Sequence, residues 1–263
     1  KYLQVGPVWV LTPFVGGGVA YGIASLLPRE RVPEGYSIPL LAALVGAVLA
    51  NVEFTKLGPN GTAGSIADAV GRSLGATGPL VTVGITLVAA AGVGGVVAWD
   101  VRRDEAGGLR RFLLALGSLV AFSAGGSQVG LAVGPLLPLL DELEMIPTIA
   151  VLAGGGLGIL VGSWTGAPRM IKSLAQDYSS LGPRRSIAAL VPSFLIAQVA
   201  VLLGVPVSFN EIVVSAIIGS GAAVGGGGAV DARKLGVTVG AWAASFLLAF
   251  ALGYGAVLVL PLS

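Results

Sequence analysis

Two short polar runs interrupt an otherwise apolar chain of 263 residues. The first is Ser123-Ala-Gly-Gly-Ser-Gln-Val-Gly-Leu-Ala-Val-Gly-Pro135. Its glycines let backbone amides come close to a ligand, and a helix start at this point would aim free N–H groups at an anion. Gly125, Gly126, Ser127 and Gln128 are therefore candidate anion-binding residues. A seam of small residues between two helices is the plainer alternative, but a glutamine is expensive to bury without a partner. The second run is Gly204-Val-Pro-Val-Ser-Phe-Asn-Glu211, followed by Ser215 and Gly219-Ser-Gly221. Ser208 and Asn210 follow a proline, where a helix is expected to begin and where serine caps and anions dock. Glu211 is the one charge well inside an apolar stretch, a position suited to binding a cation or carrying a proton. Its structural alternative is pairing with a nearby amide or arginine.

The rest of the composition excludes much other chemistry. With no cysteine and no histidine, there are no disulfides, thiol nucleophiles or haem ligands, and the usual general base and zinc ligands are missing. No apolar stretch holds a lysine or a second interior acid, so an intramembrane enzyme is not expected. Gly219-Ser-Gly221 with Gly225 lacks the preceding strand and spacing of a dinucleotide fingerprint, and no basic face interleaved with aromatics points to nucleic acid. No cofactor is expected beyond a coupling Na+ or H+.

The elements that carry these residues must lie in lipid. Hydrophobic residues make up 55% of the chain and charged residues 11%, against about 25% charged in soluble domains, and the mean hydropathy is +0.92. Eight apolar stretches, at 5–27, 38–54, 79–98, 112–137, 148–165, 186–203, 205–224 and 236–260, can each cross or nearly cross a bilayer core of about 30 Å. The stretches 38–54 and 148–165 are short, which suits a tilted or re-entrant segment. Loop 99–111 holds Arg102, Arg103, Arg110 and Arg111 and is placed in the cytoplasm. Strict alternation then puts 12 of the 15 basic residues inside and the acidic loop 141–144 outside. The expected fold is an all-α polytopic bundle of about eight spans, with broken helices at the two polar runs. Trp9 to Tyr21 and Trp242 to Tyr254 share a 12-residue spacing on oppositely directed spans, as an inverted repeat would produce.

The two runs resemble signatures of the inorganic phosphate transporter (PiT) family. Gly125, Val129, Ala132 and Gly134-Pro135 match the first motif; Pro206-Val207-Ser208, with Ala216-Ile217-Ile218-Gly219, matches the second. The resemblance implies two inverted repeats and uptake of phosphate or a similar oxyanion coupled to sodium or protons. It also implies a multi-pass place in the plasma membrane, with a homodimer as one expected assembly. By it, residues 1–27 close a first repeat, 28–111 are inserted or linking spans, and 112–263 form a second repeat. On the order of 100 or more residues of the first repeat are then expected upstream. Departures are visible. Gln128 replaces the family aspartate and Glu211 its histidine, while Phe209 and Asn210 replace two threonines. These features look closer to the sulfate permease branch, so sulfate stands beside phosphate as the expected cargo, and a non-transporting scaffold is the alternative of another class.

Overall fold

The computed structural model describes residues 2–26, 34–54, 57–59, 62–133, 147–172, 182–203, 205, 207–225 and 232–259. Among them run α1 (Tyr2–Leu26), α2 (Glu34–Asn51), β1 (Glu53–Phe54), β2 (Gly64–Ser65), α3 (Ile66–Ser73) and α4 (Pro79–Arg103). There follow α5 (Glu105–Val133), α6 (Thr148–Lys172), α7 (Pro183–Leu202), α8 (Phe209–Gly225) and α9 (Ala232–Val259). Each of the eight expected stretches holds one helix among its described residues. Five of them are long and apolar enough to cross a membrane, and α1, α2 and α8 contain shorter apolar helices. The protein is a multi-pass membrane helix bundle. The fifth apolar stretch, Thr148–Thr165, is the shortest of the five, and its helix α6 continues past it to Lys172. A helix does not end where hydropathy falls; it continues while each carbonyl still finds a helical N–H.

Close backbone contact sets the helix spacing. A Cβ built on Gly219 of α8 would run into the Gly17 carbonyl oxygen of α1, and one on Gly16 would meet Ser215 Oγ at 2.9 Å. The antiparallel pair α2 and α4 uses the same device: Gly46 faces Ala89 and Val93, and Gly94 faces Pro39 and Ala43. Lipid tails are as apolar as leucine, so such packing, rather than water exclusion, holds membrane helices together. The larger buried cluster joins Ile38 and Leu41 of α2, Phe112 and Leu116 of α5, and Val191 and Phe194 of α7. A smaller one joins Ala20, Ala189, Val214 and Ile217 from α1, α7 and α8. By contrast, α6 and α9 leave nearly all their described side chains exposed, as lipid-facing helices do.

The two ends of the bundle differ. At the arginine-rich end, Asp104 alone links α4 to α5, and its carboxylate accepts from the Gly107 N–H at 3.0 Å. Asp100 takes a two-pronged bond from Arg111, 2.8 Å on each side, and Arg184 of α7 meets Glu105 at 2.8 Å. At the opposite end, the described residues between 52 and 78 build a small cap. Glu53 pairs with Ser65 and Phe54 with Gly64. Ser65 Oγ caps α3 by accepting the Asp68 N–H at 3.1 Å, Thr82 Oγ1 donates to Asp68 at 2.8 Å, and Arg72 donates to the Leu57 carbonyl. The pattern Ser65-x-x-Asp68 ahead of apolar Val70 and Gly71 was a legible helix start.

Gly219→Ala should destabilise the detergent-solubilised protein by about 1–3 kcal/mol, the usual range for overpacking. Gly18→Ala, where a Cβ meets nothing within 4 Å, should leave thermal unfolding nearly unchanged. In the cap, the Thr82 hydroxyl first, then Ser65 and Arg72, hold the Asp68 carboxyl below the usual carboxylate range. Its stabilisation is thus complete above the unfolded value of about 4 and is lost as pH falls through the lower folded value. Hydrogen exchange across 62–78 should quicken only below about pH 4, and Asp68→Asn should abolish that dependence.

Candidate functional site

The second polar run is built as expected. α7 ends at Leu202, with Leu203 N–H bonded to Val199 O at 3.0 Å and Val205 N–H to Ala200 O at 2.9 Å. The chain then turns, and α8 opens at Phe209. Ser208 caps it: its Oγ accepts the Glu211 N–H at 3.4 Å and its carbonyl accepts the Ile212 N–H at 3.2 Å. Ser208 and Glu211 are half-buried and Asn210 is exposed. Gly204 and Pro206 lie outside the described residues.

The geometry gives Glu211 a role the sequence reading passed over. Ser208-Phe-Asn-Glu211 is a serine followed three residues later by glutamate, the capping-box pattern, and the serine half of the box is formed by Ser208 Oγ on the Glu211 N–H. A carboxylate in the first turn also interacts favourably with the partial positive charge of the helix start. Glu211 therefore occupies the same electrostatic seat that an incoming anion would use.

The first polar run departs from expectation. α5 is continuous from Glu105 to Val133, so Gly125, Gly126, Ser127 and Gln128 sit within a helix and not at a helix start. Their N–H groups are committed to the preceding turn. The reason is solvent: a glycine weakens a helix in water, but an unsatisfied backbone group in lipid costs several kcal/mol, about, and the helix persists. A Cβ on Gly125 or Gly126 would meet nothing within 4 Å, which leaves both open to a close neighbour. The side chains of Ser127 and Gln128, and the ending Gly134-Pro135, lie outside the described residues.

One residue was missed. Gln198 of α7 is 4% exposed, and its Nε2 donates to Ser123 Oγ at the head of the first run. A lone amide within the apolar stretch 186–203 was the available signal. Gln198 lies one turn before the end of α7, so the bond places both polar runs at the same end of the bundle. The helices that carry them are joined through α7, which packs against α5 and against α8.

Comparison with known proteins bears on what such a bundle is. The sequence profile of the Phosphate transporter family matches residues 1–253. The chain belongs to that family. A Chlamydia pneumoniae protein that carries the name phosphate permease is 24% identical over 248 residues, covering 82% of this chain and 58% of that protein. The chloroplastic inorganic phosphate transporter 2-1 of Arabidopsis thaliana is 32% identical over 115 residues, 40% of this chain and 20% of its own. Human sodium-dependent phosphate transporter 1 is 29% identical over 131 residues, 47% of this chain and 19% of its own. A solved structure of a sodium-dependent phosphate transporter shares the fold, with a TM-score of 0.62 and 20% identity over 85% of this chain and 58% of that one. The chain thus spans somewhat over half the length of the permease and structure it matches most fully, and the family match extends unbroken in range across 28–111.

The Gln198–Ser123 bond predicts an asymmetric mutant series. Ser123→Ala strands a buried amide and should lower stability by about 1 kcal/mol, whereas Ser123→Ala with Gln198→Leu should recover most of that loss. Equal losses in the single and double variants, measured by thermal unfolding in detergent, would show that the bond carries nothing.

Proposed function

We propose that this chain forms part of a secondary transporter that carries inorganic phosphate across a membrane with a coupled cation, H+ or Na+. The observation that carries the reading is the capped start of α8, a polar break in an apolar bundle, in a chain matched to the Phosphate transporter family. Two of the relatives named above are sodium-dependent by name, which favours Na+.

The helix start supplies the chemistry. The free N–H groups of the first turn of α8, with the hydroxyl of Ser208 and the amide of Asn210, replace the water shell of an oxyanion. Ser127 and Gln128 of α5 contribute side chains, and Gly125 and Gly126 permit close approach. Glu211 makes the process conditional. While ionised it holds the helix start and repels an anion; a proton or Na+ on its carboxylate cancels that charge and frees the seat. Cation and anion then bind each other's occupied state more tightly, which is the reciprocal coupling a symporter needs. On this reading α1 closes a first repeat, 112–263 form the second, 28–111 link them, and the site is completed by the first repeat. The plasma membrane and a homodimeric assembly belong to the same proposal.

Uptake of radiolabelled phosphate and sulfate into proteoliposomes by the full-length protein tests it. Phosphate uptake driven by an inward H+ or Na+ gradient is expected. Glu211→Gln should abolish the gradient dependence. Sulfate uptake without phosphate uptake would transfer the same mechanism to sulfate, and no uptake of either by folded protein would make the chain a scaffold.

A further inference from the structure

α5 and α7 both start at the arginine-rich end and are tied at two heights. At their starts, Arg184 meets Glu105 at 2.8 Å, but both side chains are more than half exposed, where an ion pair constrains little. The second tie is the bond from Gln198 Nε2 to Ser123 Oγ, inside the bundle. It lies roughly 21 Å along α7 from Arg184 and roughly 27 Å along α5 from Glu105. Between the ties, Phe112 and Leu116 meet the cluster that holds Val191 and Phe194. Apolar attraction is non-directional and leaves slide and rotation to other contacts. A buried polar pair selects one register.

Stability alone does not account for this pair. Gln198 is buried, and its Oε1 accepts no hydrogen bond from another described residue. Leaving one buried carbonyl unpaired costs at least as much as one hydrogen bond returns, so leucine at 198 facing alanine at 123 would hold the helices as firmly. What that apolar pair would lose is the register. The register matters because of what each partner leads to. Ser123 opens the run that contains Gly125, Gly126, Ser127 and Gln128. One turn beyond Gln198, α7 gives way to the break that Ser208 caps. The bond therefore couples the height and rotation of one half of the candidate site to the other.

We propose that Gln198 is a positioning residue of the phosphate site: through Ser123 it holds the α5 run in register with the start of α8. It acts by geometry, without touching the substrate, and the inference rests on the transport reading above. Phosphate uptake by the full-length protein in proteoliposomes, with thermal unfolding in detergent beside it, tests the role. Ser123→Ala with Gln198→Leu should unfold near the wild-type temperature. The same variant should raise the KM for phosphate about fivefold or more, within the range by which residues off the ligand tune a site, and keep the maximal rate. Asn51→Leu with Thr86→Val is the matched control. Asn51 Nδ2 donates to Thr86 Oγ1 at 2.9 Å, an amide–hydroxyl bond between α2 and α4, which carry neither polar run. Its removal should leave KM unchanged. Should the first pair fail to fold, Gln198→Met keeps the side chain's length without the amide and carries the same expectation for KM. An unchanged KM in a folded Gln198 variant, or an equal rise in the control, overturns the positioning role alone. No phosphate uptake by the wild-type protein overturns the phosphate reading, and this inference with it.

Discussion

The contact between Gly17 and Gly219 sets the geometry on which the rest depends. A Cβ on Gly219 would have no room against the Gly17 carbonyl, so backbone lies on backbone. Nothing adjustable stands between α1 and α8, so their separation has one value. That contact, with Ser215 against Gly16 one turn earlier, fixes where α8 runs and hence where its N-terminus points. The buried clusters then fill space around a frame that glycines have already set. In a solvent without a hydrophobic drive between helices, van der Waals contact at this range is among the strongest attractions on offer.

The same solvent explains how polarity is distributed. Buried serines and threonines in the spans return to their own helix: Thr12 to Val8, Ser193 to Ala189, and Ser220 to Ile217. Each is satisfied locally and asks nothing of a neighbour. Gln198 and Ser208 behave differently. Gln198 reaches across to α5, and Ser208 caps a helix start inside the bundle's apolar span. Polar groups that tie separate elements together mark the places where the fold holds a defined polar surface in lipid, and both lie at one end of α7.

Hydropathy and charge made the spans and their alternation legible, because lipid imposes one rule on every residue of a crossing. The break before α8 was legible as well: Pro206 and Ser208 are local signals with a local mechanism. What escaped were features settled by neighbours. The glycines of α5 looked like a break because glycine weakens helices in water; the cost of unsatisfied amides in lipid overrode that weakness. Gln198 carries no local motif, and its meaning appears only with Ser123 opposite it. Glu211 was seen as a charge in need of a purpose, while its three-residue spacing from Ser208 already gave it one. The cap over α3 was passed over because attention to twenty-residue stretches hides an eight-residue helix.

The single-residue link at Asp104 has a mechanical consequence. α5 is one unbroken rod, and Arg111, locked to Asp100 near its start, lies roughly 18 Å along the axis from Ser123. Rotating the rod at one end therefore rotates it at the other. Adding or deleting a residue at the hairpin would turn α5 by about 100° and swing Ser123 away from Gln198. This one-residue link acts as an index pin for the far end of the bundle, and chain-length change there should be tolerated far less than in the cap around α3.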